Sequence, residues 1–239
     1  MKELQLPGNI RRIIDRFTGS LKDIYGDELI SAVLYGSAAS GEFAGRSSNV
    51  NLAVVLKETS VRSIKKAAGL VRKYSIINPV FFTEKYIAES LDAFPIEFLD
   101  MKENHFLLHG RDVFSDLQVD LKNLRFQCEQ ELKSKILNIK KIYLKADSRP
   151  FLKNLLFKSA TSSLHILRNI IRLKGRTPPY IKGDILDAVS RELTVDCSGL
   201  KRILDARKNN ARLSSEEMDE LFTQLINTLE NISDKLNRM

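Results

Sequence analysis

The chain has 239 residues, of which 43% are apolar and 28% are charged, and these values are ordinary for a globular protein with one large domain or two small ones. No apolar run approaches the roughly 20 residues that cross a bilayer, and the N-terminus lacks a signal-like apolar region, so we expect neither a membrane protein nor a secreted one. The net charge of +8 favours an anionic partner. Because the basic residues are spread over many segments, the expected partner is a nucleotide or another phosphorylated small molecule, and not a nucleic acid.

The two cysteines, Cys128 and Cys197, are far apart in the sequence and do not form a CxxC pair. Such a spacing indicates neither a disulfide framework nor a zinc site. We therefore predict two unpaired, half-buried thiols in a protein of the reducing cytoplasm.

Hydrophobic periodicity in the first half of the chain predicts helices and strands in alternation. The predicted elements, in chain order, are a helix over 7–25, a strand over 30–35 that breaks at Gly36-Ser37, a helical turn over 38–43, a polar loop over 45–48, a strand over 49–56, a helix over 60–74, a strand over 75–82 and a helix over 83–91. Ser60 and Thr83 are predicted helix caps. Pro79 restricts the third strand to an edge or a bulge.

Pro95 is predicted to end this helical pattern, and two short apolar segments follow at 96–101 and 105–108, at least one of them a strand. From Leu121 onward the apolar residues recur only at helical spacing. The helices predicted there cover about 121–145, 150–173, 181–193, 198–207 and 214–236.

A mixed region followed by helices alone predicts an α+β chain of two domains, with the boundary near residues 115–120. We assign residues 1–117 to an α/β domain with a mixed sheet and residues 118–239 to a helical bundle.

The turn after the first strand and the start of the next strand have the residues of a phosphate site. Gly36 lets the backbone approach a phosphate closely, and Ser37 adds a hydroxyl and an exposed amide at a helix start. Eleven residues separate Ser37 from Asn49. Asn49 and Asn51 are two residues apart on a strand, so they share a face. Asn78, on the third strand, is the polar candidate there.

This order of turn, loop, polar-x-polar strand, helix and third strand resembles the nucleotidyltransferase superfamily of the polymerase β type. The helical second domain resembles the two-domain architecture of the kanamycin nucleotidyltransferase type. The resemblance implies transfer of a nucleoside monophosphate from a nucleoside triphosphate to a hydroxyl or a phosphate, with magnesium held by aspartates on the strands.

The chain departs from that family at the metal ligands, because asparagine stands at Asn49, Asn51 and Asn78. Magnesium prefers charged oxygen ligands in near-octahedral geometry, whereas an amide NH₂ group repels a cation and suits a phosphate oxygen. Other carboxylates do not fill the gap: Glu84 is expected to be an ordinary acid in a first helical turn. Glu129 and Glu131 are expected on a solvated helix face, where Glu129 pairs with the lysine four residues on.

Three functions remain open from the sequence. The first is a catalytically inactive nucleotidyltransferase-like protein that binds a nucleotide or phosphorylated ligand at Gly36, Ser37, Asn49, Asn51 and Asn78, without metal or other cofactor. The second is an active nucleotidyltransferase that acts on a small-molecule or protein acceptor and needs magnesium. The third is an interaction protein that dimerises through its helical domain.

Overall fold

The structure is a computed structural model, and it describes residues 6–41 and 49–239. The chain divides between Asp120 and Leu121 into two compact units. The predicted domain boundary, after residue 117, lies three residues before this division.

The first unit contains the strands and is of mixed α/β type. Its elements are α1 (Gly8–Tyr25), β1 (Leu29–Tyr35), α2 (Ser37–Ser40), β2 (Val50–Leu56), α3 (Val61–Lys65), α4 (Ala68–Lys73), β3 (Ile77–Phe82), α5 (Glu84–Glu89), α6 (Pro95–Glu103) and β4 (His105–Gly110).

The four strands of this unit form one mixed sheet in the order β3-β2-β1-β4. β1 pairs antiparallel with both β2 and β4, and β2 pairs parallel with β3. The edge position of β3 confirms the prediction made from Pro79, because a proline has no N–H to donate and is therefore tolerated where a strand has a neighbour on one side only.

Helices cover both faces of the sheet. On one face, α1 buries the apolar stripe that periodicity predicted, including Ile14, Phe17 and Leu21. Phe17 packs edge-on against Tyr74, with ring centroids 6.0 Å apart. On the other face, Phe98 of α6 is buried in a second cluster with residues of β1 and β2. Burial on both faces explains why β1 and β2 are apolar runs and not alternating sequences.

Local signals predicted most element ends in this unit. Ser60 caps α3 by accepting from the Ser63 amide at 3.3 Å, and Thr83 caps α5 by accepting from the Tyr86 amide at 3.0 Å. The helix predicted over 60–74 is two helices, α3 and α4. The predicted turn over 38–43 is α2 as far as Ser40, with Gly41 as its C-cap. Residues 42–43 and the loop 45–48 lie outside the described residues.

One assignment near Pro95 was wrong. Pro95 does not end a helical pattern but begins α6, and 96–101 is helical. Proline is tolerated in the first helical turn because its missing N–H has no partner inside the helix. The strand in this region is β4, which contains the segment 105–108.

The second unit consists of helices in the residues 121–239. They are α7 (Leu121–Tyr143), α8 (Arg149–Leu173), α9 (Lys182–Leu193), α10 (Ser198–Lys208) and α11 (Ser215–Asn237). The predicted apolar stripe of α7 is buried from Leu124 to Ile139, whereas Leu121 at its start is exposed and Tyr143 at its end is half-buried. α11 begins with a capping box, in which Ser214 accepts from the Glu217 amide at 3.1 Å and Glu217 accepts from the Ser214 amide at 2.6 Å.

Both cysteines lie unpaired in this unit, as predicted, but they are buried and not half-buried. Burial raises the pKa of the Cys128 thiol to about 12 and that of Cys197 to about 11. A thiol with so high a pKa stays protonated at neutral pH, which makes it a poor nucleophile and metal ligand.

The exposed side of α7 is a salt-bridged face, as its charge spacing predicted. Glu129 accepts from Lys133 at 2.6 Å and from Arg125 at 3.1 Å. The hydrogen bond from Lys133 lowers the pKa of Glu129. Within the part of the chain that the structure describes, no helix combines the length and the apolar character that a membrane span requires.

We predict that Gly199→Ala destabilises the protein, although alanine is the better helix former. A Cβ at Gly199 would lie 2.6 Å from the Cβ of Gln224 on α11, so α10 would have to move away from α11. The expected loss in the free energy of unfolding is about 1–3 kcal/mol, measured by urea denaturation.

Gly183→Ala is the matched control, because Gly183 is also the second residue of a helix and a Cβ there meets no atom within 4 Å. It is expected to be neutral or to stabilise by up to about 1 kcal/mol. Equal effects of the two substitutions would contradict close packing of α10 on α11.

Candidate functional site

Four polar residues form a row across the sheet at the end where β1 stops. In the strand register, His105 of β4 lies opposite Tyr35 of β1, Tyr35 opposite Asn51 of β2, and Asn51 beside Asn78 of β3. Alternation along each strand places the row on the same face as Val33, Ala53 and Val55. We call these four residues the polar row.

The two asparagines of the row bind each other. The Asn78 Nδ2 group donates to Oδ1 of Asn51 at 3.3 Å. Asn51 is half-buried and Asn78 is exposed. This bond leaves both N–H donors of Asn51, together with the side-chain carbonyl oxygen and the second N–H of Asn78, as the polar groups available to a ligand.

Gly36 makes room for the Asn51 amide. Its backbone angles, φ 74° and ψ −148°, belong to a region that glycine adopts almost alone. A Cβ on Gly36 would lie 3.1 Å from Nδ2 of Asn51. The turn after β1 therefore lies directly against the Asn51 side chain, and the structure brings Gly36, Asn51 and Asn78 together.

Ser37 and Asn49 lie at the border of this arrangement. Ser37 follows Gly36 as the first residue of α2 and is half-buried. Asn49 is exposed and precedes β2, so the predicted start of the second strand was one residue early. The ladder with β1 ends at Asn51 and the ladder with β3 starts at Val50, so Asn49 is beyond both.

Tyr35 is a neighbour of the site that the sequence did not reveal as a candidate. It lies opposite Asn51 on the same face of the sheet. Burial raises the pKa of the Tyr35 phenol, so the hydroxyl stays protonated and able to donate at neutral pH. The sequence does indicate that Tyr35 shares a face of β1 with Val33, because the two are two residues apart on a strand. Only the antiparallel register with β2 places Tyr35 beside Asn51.

His105 at the other end of the row is held on both ring nitrogens. Nδ1 lies 2.7 Å from the carbonyl oxygen of Met101, and Nε2 lies 2.8 Å from Oδ2 of Asp112. Oδ1 of Asp112 accepts from the amides of Phe114 and Ser115, at 2.9 and 3.1 Å. Asp112 thus joins β4 to the segment that follows it.

The residues of the site do not fit magnesium. β2 and β3 contain no carboxylate, and the Asn51 oxygen already accepts from Asn78. Glu84 lies in the first turn of α5, where it forms an ion pair with Arg111. Over residues 6–41 and 49–239, no three His, Cys, Asp or Glu side chains lie close enough together to hold a metal ion.

Comparison with solved structures defines the fold. Spectinomycin adenyltransferase AAD(9) from Enterococcus faecialis, solved with ATP and spectinomycin, matches with a TM-score of 0.60 at 15% identity, over 92% of this chain and 99% of that chain. A nucleotidyltransferase-like protein from Exiguobacterium sibiricum matches with a TM-score of 0.38 at 12% identity, over 92% of this chain and 74% of that chain. No protein-family model and no curated protein matches the sequence.

The likeness to AAD(9) confirms the fold class that the motif predicted. The chain has a nucleotidyltransferase-like α+β unit followed by helices.

We predict that Gly36→Ala displaces the Asn51 amide and destabilises the first unit. The backbone region costs a residue with a Cβ about 1–3 kcal/mol, and the new methyl group presses on Nδ2 of Asn51. Urea denaturation measures the loss, and the side-chain amide resonances of Asn51 and Asn78 report the displacement.

Gly41→Ala is the control for backbone strain, because Gly41 also has a positive φ, 83°, but a Cβ there meets no atom of the described residues within 4 Å. Its left-handed helical conformation costs alanine about 1 kcal/mol. We expect the Asn51 resonances to stay in place in this variant. Unchanged resonances in Gly36→Ala as well would contradict the contact between Gly36 and Asn51.

We predict that Asp112→Asn lowers stability by about 1–2 kcal/mol at pH 6 and has a smaller effect in acid. Partial burial raises the pKa of the Asp112 carboxyl, but the hydrogen bonds from His105 and from two amides outweigh burial and lower it. A depressed folded-state pKa means that the stabilisation is complete above the unfolded value of about 4 and is lost as the pH falls through the folded value.

Urea denaturation of both proteins between about pH 6 and about pH 2 tests this dependence. Asp116→Asn is the control, since it makes the same chemical change at an exposed residue of the same segment. A difference between wild type and Asp112→Asn that stays constant with pH would show that the Asp112 charge does not contribute.

Proposed function

We propose that this protein binds a nucleotide or another phosphorylated small molecule without transferring a nucleotidyl group, and that it acts as a sensor or partner-binding module. The observation that supports this proposal is the pair of amides, Asn51 and Asn78, on the two strands where the polymerase β type of nucleotidyltransferase has carboxylates. The fold is that of AAD(9), whose structure contains ATP, so a nucleotide is the first ligand to test.

The chemistry of the amide pair favours a phosphate over a cation. Because Asn78 donates to the Asn51 oxygen, the outward groups of Asn51 are N–H donors. An N–H donor on a phosphate oxygen is a charge-assisted bond, stronger than a bond between neutral groups. The missing side chain of Gly36 leaves room beside the Asn51 NH₂ group, and Tyr35, whose hydroxyl is protonated, lies opposite Asn51 in the strand register.

The absence of strand carboxylates has a second consequence for a triphosphate. Two aspartates would repel its oxygens, so a metal ion would be needed between protein and ligand. Two asparagines impose no such repulsion. Binding through the amide pair therefore proceeds without magnesium, and a site that holds no metal against the phosphates lacks the charge neutralisation that phosphoryl transfer requires.

The alternative is an active nucleotidyltransferase that recruits magnesium through the phosphates of its substrate. This reading is favoured by the length of the likeness to AAD(9), which includes nearly all of that enzyme and both units of this chain. A protein that only dimerises through its helical unit remains the third candidate.

Calorimetric titration with ATP and the other nucleoside triphosphates, each with magnesium and with a chelator, tests the proposal. We expect binding that does not depend on magnesium, and no release of pyrophosphate. Binding that requires magnesium, or pyrophosphate release, would overturn the proposal in favour of the enzyme. A lack of binding to any nucleotide or to inorganic phosphate would leave the interaction protein.

Asn51→Asp is the sharpest variant, because it changes an amide into a carboxylate of the same shape. Without magnesium, the lost donor and the new negative charge should weaken nucleotide binding about tenfold to a hundredfold. Asn138→Asp is the matched control: it makes the same change at an exposed residue of α7 and should bind as wild type. Equal binding by Asn51→Asp would exclude Asn51 as a ligand.

A further inference from the structure

The segment between β2 and β3 carries a concentration of positive charge. Residues 59–83 contain five basic residues and no Asp or Glu. The five are Arg62, Lys65, Lys66, Arg72 and Lys73, and all five are exposed. We call them the basic strip.

Backbone geometry places the strip on one side of a nearly continuous helix. Lys66 and Ala67, between α3 and α4, have φ and ψ of −56°, −35° and −84°, −3°, which keeps the chain in the right-handed helical region. At 100° per residue, the five cations fall within a sector of about 120°. Gly69 lies in the middle of this sector with open space around it, so no side chain separates the two halves of the strip.

The strip differs from the charged faces of α7 and α10. Glu129 on α7 pairs with two cations, and Arg202 on α10 pairs with Glu220 at 2.8 Å. Among the described residues, no carboxylate forms an ion pair with a member of the strip. Arg62 lies three and four residues from Lys65 and Lys66, and like charges at these spacings destabilise a helix. Positive charges that repel one another and form no ion pair with a carboxylate favour an anionic binding partner.

We propose that the basic strip binds the sugar–phosphate backbone of a nucleic acid. From Arg62 to Lys73 the helix rises about 16 Å, which matches the axial length of about five phosphates on one strand of a duplex. Five cations thus face about five anions. The aromatic ring next to the strip, that of Tyr74, has its centroid 5.4 Å from Nζ of Lys73 and packs against Phe17. Because this ring is already in contact with both neighbours, we expect the strip to contact the backbone, independent of sequence.

A membrane surface fits the strip less well. A helix that lies in a lipid interface inserts its apolar face among the acyl chains. Here the apolar side, with Ala67, Leu70 and Val71, is packed into the core of the first unit. Val61 is the one large apolar residue of α3 and α4 with a mostly exposed side chain, which is too little for insertion.

The strip leads toward the polar row. Because β2 and β3 are parallel, α3 and α4 carry the chain back to the end of the sheet at which both strands begin. Asn51 and Asn78 lie at that end, and Lys73 precedes Asn78 by five residues. The strip and the row therefore lie toward the same end of the sheet, although α3 and α4 pack on the face opposite to the row. The proposal does not depend on nucleotide binding at the row.

Fluorescence anisotropy of the full chain with labelled RNA tests the proposal. The probes are an oligo(U) strand and an RNA duplex, each of about 20 nucleotides per strand, titrated from about 50 to about 300 mM KCl. For wild type, the slope of log K against log salt should be about −3 to −4, the value for four to five phosphate contacts. The two probes show whether the backbone is read as a single strand or as a duplex.

The test variant replaces all five strip residues by glutamine, and the control removes the same charge elsewhere. The test variant is Arg62→Gln, Lys65→Gln, Lys66→Gln, Arg72→Gln and Lys73→Gln. The control is Lys141→Gln, Lys145→Gln, Lys174→Gln, Lys182→Gln and Lys208→Gln, five exposed lysines of the second unit. The test variant should lose most of the salt slope and at least tenfold in affinity, and the control should keep both.

Thermal unfolding of each variant verifies the fold. If the fivefold variant unfolds, the pair Arg62→Gln and Lys66→Gln serves instead and should reduce the slope by about 1.5. An equal loss in strip variant and control would overturn the proposal, because net charge alone would then explain binding. The proposal is also overturned if neither RNA probe binds. This conclusion holds as well if phosphatidylserine vesicles bind to the protein and RNA does not. Nucleotide titrations of the strip variant report on the polar row separately.

Discussion

The antiparallel pairing of β1 with β2 is the constraint on which the candidate site depends. It places Tyr35 opposite Asn51, and the turn after Tyr35 then has to pass the Asn51 side chain. A Cβ at the turn would lie 3.1 Å from the amide nitrogen, so the close approach requires glycine at position 36. The polar group of the site and the glycine beside it are thus two results of one strand register.

The parallel pairing of β2 with β3 adds the other half of the arrangement. A parallel neighbour has to be reached by a crossover that returns to the starting end of the first strand. The crossover in this chain is α3 and α4, so the same connection that brings Asn78 beside Asn51 also carries the basic strip to that end of the sheet. Burial of the inner side of the crossover fixes which side of it faces solvent.

Sequence reasoning reached the features that are encoded locally. The stripe of α1, the caps at Ser60 and Thr83 and the start of the last helix near Ser214 each depend on residues within one or two helical turns. It failed where a partner distant in sequence decides the outcome. A proline can start a helix as readily as end one, so the role of Pro95 is not decided until the packing of α6 is known. Asn49 lies outside β2 because the pairings with β1 and β3 reach only to Asn51 and Val50.

The polar row shows the same limit more clearly. Asn51 and Asn78 were predictable as candidates from their positions on successive strands, and the register brought them together. His105 was not predictable as a member of the row, since no local signal places the start of β4 opposite Tyr35. The basic strip was missed because its members are separated in the sequence by apolar residues, and only the helical path puts them on one side. Counting charges along the sequence therefore underestimates how strongly positive charge is concentrated on the folded surface.

The amides of the row and the charges of the strip have a common electrostatic effect. With aspartates at the two strand positions, this end of the sheet would repel a polyanion, and a bound cation would have to intervene. Asparagines remove that repulsion and leave the positive charge of the strip at this end of the sheet without a negative counterpart on β2 or β3. Under the proposed function, a phosphate-bearing ligand meets neutral N–H donors at Asn51 and Asn78. The strip, whose helices pack on the opposite face of the sheet, adds positive charge at the same end.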